Sequence, residues 1–99
     1  MRMTFERTGG FAGMKMTKVI DTETLPTEVA NQLRRLVDAA DFFHLPTTIT
    51  SKSRQPDRFM YRITVEDNSE HHAIEVSEQA IPSPLRPLIE WLMAAARQQ

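Results

Sequence analysis

The sequence predicts an α+β domain: a four-stranded antiparallel sheet made of two hairpins, in the order β-β-α-β-β-α, with both helices packed on one sheet face. Three observations lead there. Residues 60–78, MYRITVEDNSEHHAIEVSE, alternate apolar and polar positions on both sides of a polar break. The N-terminal residues alternate in the same way around Gly9-Gly10, and two later stretches repeat apolar residues at helical spacing. A chain of 99 residues suits one domain, 1–99; at that size it hides roughly 60–68% of its unfolded surface.

In the first hairpin, Gly9-Gly10 supplies the positive φ values of a tight turn. Pairing across it sets Met3 against Met16 and Phe5 against Met14 on one face, with Thr4 opposite Lys15 and Arg2 opposite Thr17 on the other. Past Thr17 the alternation fails, because Lys18 points inward and Val19 and Ile20 are both apolar, so a bulge or a strand end is expected there. Residues 26–40 follow with a helical stripe of Val29, Leu33, Leu36, Val37 and Ala40, with Pro26 at the first helical position and Glu28 in the first turn. Phe42, Phe43 and Leu45 fold back onto the core before Pro46, and residues 47–57 read as a polar loop.

The second hairpin has strands at about 58–66 and 71–77. A two-residue turn at Asn68-Ser69 pairs Val65 with His72, Ile63 with Ile74 and Tyr61 with Val76 on an apolar face. The other face then matches Glu66 with His71, Thr64 with Ala73 and Arg62 with Glu75, so charge and pattern agree on one register. The last helix starts at Ser83 as cap with Pro84 next, shows Leu85, Leu88, Ile89, Leu92, Met93 and Ala96 on one side, and runs to about Arg97.

Composition narrows the function. The net charge is −1, spread as basic stretches at 1–20 and 47–62 and acidic ones at 21–41 and 66–78, without the net basic footprint of a nucleic-acid binder. No window approaches the roughly 20 apolar residues of a membrane span, and there is no cysteine to staple the fold or ligate a metal. The expectation is a cytoplasmic monomer. His71 and His72 are consecutive in a strand and point to opposite faces, and His44 stands alone in a turn, so no metal set forms. Glu66, Asp67 and Glu70 cluster at a solvated hairpin tip, without the desolvating pocket that acid–base work needs. With no nucleophile beside a base and no phosphate loop among three glycines, the chain reads as a non-enzyme without cofactor or metal.

GGFAGM, residues 9–14, is the oddity. Under a Gly9-Gly10 turn Phe11 falls on the face opposite Phe5 and Met14. Two readings stay open: the tip curls over and tucks the ring against a helix end, or the ring stands out as an aromatic anchor for a partner.

ERTGGFAGM, DTETLPTEVANQLRRLVDAADFFHLP, RFMYRITVEDNSEHHAIEVSE and PSPLRPLIEWL, in that order over about residues 2–97, resemble the emfourin-type protealysin inhibitors. The specific pieces are GGFAG, FFHLP and the YRITVED run, in which Arg62-Ile63 fills the middle. The resemblance implies a small bacterial inhibitor of thermolysin-like zinc metalloproteases, enzymes that cut before a bulky apolar residue. On that footing Gly9, Gly10, Phe11, Ala12 and Gly13 form a substrate-like segment, with Phe11 entering the apolar specificity pocket and its small neighbours allowing close backbone approach. Ser51, Lys52 and Arg54 in the polar loop are a second contact candidate, either steering the encounter with an acidic enzyme surface or serving as a solvated connector. The other function the residues allow is a non-enzymatic protein–protein interaction module.

Overall fold

In a computed structural model, which describes residues 1–9, 15–50 and 59–97, five stretches pair as strands and two coil into helices. They are β1 (Arg2–Gly9), β2 (Met16–Asp21), α1 (Thr27–Ala39), β3 (Thr48–Ile49), β4 (Phe59–Asp67), β5 (Glu70–Ser77) and α2 (Arg86–Arg97). All five strands join one sheet in the order β2-β1-β4-β5-β3. It is mixed, since β3 runs parallel to β5 while the other neighbours are antiparallel. The expected four-stranded antiparallel sheet is thus corrected by one short strand, drawn from what the sequence presents as a polar loop.

That strand has a local cause. After α1, Asp41 takes a left-handed turn (φ 51°), a conformation that a short polar side chain tolerates. The turn drops Phe42 into the core at 1% exposure, edge-on to the His72 ring at 5.7 Å. His72 Nε2 donates to the Leu45 carbonyl at 2.7 Å, and the Glu75 N–H donates to the Thr47 carbonyl at 2.8 Å. The chain leaving α1 is therefore laid along β5, and Thr48–Ile49 complete the ladder. His72 is a satisfied structural histidine.

The second hairpin takes the register its alternation dictates, with Val65 facing His72, Ile63 facing Ile74 and Arg62 facing Glu75. Asn68 provides the positive φ (55°) at the first turn residue. The first hairpin does not turn at Gly9-Gly10. Met3 pairs with Ile20, Phe5 with Lys18 and Arg7 with Met16, four residues further along β2 than the expected partners. The reason is core burial. In the tighter register Ile20 would lie beyond the start of β1 with nothing opposite, whereas here it sits at 6% exposure beside Met3 and turns Val19 out to solvent at 49%. Because the shift is even, the same faces stay inward. The link from β1 to β2 is longer than a two-residue turn, so strand alternation no longer assigns a side to Phe11.

One face of the sheet is apolar and covered. Met3, Phe5, Ile63, Val65, Ile74 and Val76 form a single cluster with Leu33 and Val37 of α1 and Leu88, Ile89 and Leu92 of α2. The boundaries of both helices move slightly from expectation. Pro26 precedes α1 as its cap position, accepting from the Ala30 N–H at 2.9 Å, instead of occupying the first helical turn. Ser83 and Pro84 belong to a turn in which the Pro82 carbonyl accepts from Leu85 and Arg86, and α2 begins only at Arg86. Truncating Leu92, fully buried at 0% exposure, to alanine is expected to cost about 2–5 kcal/mol in urea unfolding. Val19→Ala should stay within about 0.5 kcal/mol; equal losses would contradict this pairing of β2.

Candidate functional site

Of the residues the sequence nominates for partner binding, the structure describes Gly9. It closes β1 with φ 109° and pairs with Phe59, the first residue of β4. Gly10, Phe11, Ala12, Gly13, Ser51, Lys52 and Arg54 lie outside the described residues. What the topology does establish is where their segments attach. Residues 10–14 connect β1 to β2, whose first paired residue is Met16, and residues 51–58 lead directly into Phe59. β3 ends at Ile49 beside Val76, near the end of β5. Both segments therefore join the body at the same end of the sheet, and the Gly9–Phe59 pair places an anchor of one directly beside an anchor of the other.

The described surface at this end is built around Arg7. Alternation puts Arg7 on the covered face, in line with Met3 and Phe5 and opposite Tyr61. Its guanidinium lies 4.4 Å from the centroid of the Phe59 ring, and Nη1 donates to Met93 Sδ of α2 at 3.7 Å. Tyr61 lies directly across from Arg7 on β4. Behind it, the Tyr61 ring stacks on Phe5 at 5.8 Å with 17° between planes. The Phe59 N–H in turn donates to Glu78 Oε1 at 3.4 Å, a long bond, just past the end of β5. Four elements thus meet through neighbouring side chains: the end of β1, the start of β4, the turn after β5 and α2.

Beside this cluster runs a groove of about 380 Å³ between α2 and the sheet end, lined by Tyr61, Glu78, Ile81, Arg86, Met93 and Arg97 among others. Its charges are mixed. Burial raises the Tyr61 pKa above the ordinary 10.0 by penalising the phenolate, and the Glu78 carboxylate adds to that; Arg7 and Arg97 pull the other way. Among the described residues no three histidine or acidic side chains converge to hold a metal ion, and no helix is long and apolar enough to cross a membrane. His44 is paired instead with Asp41, 2.7 Å from Nδ1 to Oδ1 at an exposed turn.

The Emfourin family profile matches residues 5–93 of the chain. The chain belongs to the Emfourin family. At the level of the family this is a protease-inhibitor role, and the match takes in both hairpins, α1, most of α2 and both candidate segments. No curated protein and no solved structure matches the chain significantly. Within the Emfourin frame, Arg7 is what reading the sequence missed. A signal was present: Met3, Phe5 and Arg7 share one face of a period-two strand, and a cation at the third inward position is out of place unless something receives it.

Tyr61 is the sole tyrosine, so its ionisation can be followed alone by ultraviolet absorbance. The phenolate should appear at higher pH in the folded protein than in urea, where the midpoint lies near the ordinary 10.0. The sign follows. The fold holds the proton more tightly, so this contribution to stability is complete below pH about 10 and is lost as pH rises through the folded value. Tyr61→Phe should flatten that alkaline loss; coincident folded and unfolded titrations would contradict the burial.

Proposed function

We propose that the chain inhibits thermolysin-like zinc metalloproteases by seating residues 9–13 in the active-site cleft, with Phe11 in the pocket for a bulky apolar side chain. Ser51, Lys52 and Arg54 touch the enzyme alongside. The observation that carries this reading, beyond family membership, is the Gly9–Phe59 pair, which gives the two candidate segments a common root on a packed sheet. The hairpin parity that first singled out Phe11 no longer supports it. Its place in the proposal rests on chemistry: a large apolar ring flanked by glycine and alanine, in a segment whose entry is fixed by β1.

A substrate-like segment inhibits when its ends are held. Binding then costs less ordering entropy, and a hydrolysed bond leaves both new termini tethered close to the cleft instead of free to diffuse away. The β1–β4 ladder supplies that tether on one side and the β1–β2 ladder on the other. The protein acts as a monomer with no cofactor of its own, and the zinc belongs to the enzyme.

The test is to mix the purified protein with thermolysin-like proteases and a peptide substrate, where inhibition should weaken as substrate is raised. Phe11→Ala is expected to raise the inhibition constant about 30-fold, the equivalent of about 2 kcal/mol for a buried aromatic anchor. Unchanged potency would move the contact away from Phe11. Absence of inhibition across several such enzymes would leave the interaction-module reading in its place.

A further inference from the structure

We infer that Arg7 is a positioning residue for the binding end of the sheet, holding the roots of segments 10–14 and 51–58 in one fixed geometry. Its meaning for a protease rests on the inhibitory function proposed above; its effect on the chain does not. Two contacts and one strand pairing carry the inference. The guanidinium lies over Phe59, the cross-strand partner of Gly9 and the residue on which segment 51–58 ends. It donates to Met93 Sδ at 3.7 Å, joining the strand end to α2. Directly opposite on β4, in register with it, stands Tyr61, whose ring stacks on Phe5.

The choice of side chain is specific. An arginine offers a flat face that stacks on an aromatic ring while its edge donates several hydrogen bonds at once. A lysine supplies the charge as a single point and cannot both stack on the ring and reach the sulfur. The site is also asymmetric in what it restrains. The middle of the sheet is held by packing of fully buried Phe5, Ile63 and Ile74, whereas Gly9 contributes no side chain and Phe59 is only partly buried. At the end of the ladder, therefore, apolar packing thins out, and the guanidinium replaces it with directional contacts.

Two measurements test this. In the free protein, amide hydrogen exchange of Arg7→Ala should speed up about tenfold at Gly9, at Phe59 and in the adjoining segments, while Ile63 and Ile74 at the sheet centre exchange as in the wild type. Arg7→Lys should restore the melting temperature yet leave faster exchange at those ends. With a target protease, Arg7→Ala should raise the dissociation rate about tenfold with little change in association, and the effect should shrink in a Phe11→Ala background because both act through one segment. Unchanged exchange at Gly9 and Phe59 overturns the inference whether or not the wild-type protein inhibits anything, as does loss of protection across the whole sheet. Strictly additive losses in the inhibition cycle overturn the link to segment 10–14. Local loosening in a protein that inhibits no protease would count against the proposed function and leave the role of Arg7 standing.

Discussion

The antiparallel ladder between β1 and β4 is the contact on which the other parts of the structure depend. It pairs residues from Arg2↔Glu66 to Gly9↔Phe59 and makes the first strand an interior one, between β2 and the central β4. Through it Met3 and Phe5 come to lie beside Val65 and Ile63, which completes an apolar face wide enough for two helices. Neither hairpin alone would do this, since a two-stranded ribbon cannot bury enough surface to be stable. The same ladder decides which connections are neighbours: β1 ends where β4 begins, and that coincidence roots the two candidate segments side by side.

A ladder has to stop, and the way this one stops shapes the surface that follows. Toward Gly9 the inward positions change from Phe5 to Arg7, so the core closes with a charge instead of an apolar side chain. Burying a bare cation would cost far more than the strand end could recover. Here the guanidinium is only half buried, and its neighbours are the kinds of group that accept it: an aromatic face and a thioether. The result is an end that is ordered by direction-dependent contacts while its rim remains polar.

Much of this could be read from residues alone, and the losses have physical reasons. The second hairpin was legible in full because apolar alternation and cross-strand charge agree, and Asn68-Ser69 leaves one turn length. The first hairpin was legible in its faces and not in its register. Glycine pairs advertise a tight turn, but the burial of Ile20 outweighs that local preference, and only the sheet order shows that Ile20 has Met3 to pair with. β3 was invisible because two residues carry no period; its cause is the tertiary bond from His72 to Leu45. As for the Gly9–Phe59 end, composition singled out glycines and Phe11, while Arg7, whose guanidinium lies over Phe59, was hidden among the other basic residues.

Sheet edges bear on the proposal that recognition falls to this end. An exposed edge invites pairing with another chain, and proteins discourage it with short strands or inward charges. One edge here is β3, two residues long. The other is β2, where Lys18 sits on the covered side opposite Phe5, and any strand added there would have to pass an inward-pointing ammonium. Pairing along either edge is thereby made costly, and the outer face sets Arg62 across from Glu75 and brings His71 Nε2 to 3.8 Å from Glu66 Oε1. A partner in search of unpaired apolar or backbone groups is left with the strand ends, and at one of them the Gly9–Phe59 pair roots the two candidate connections side by side.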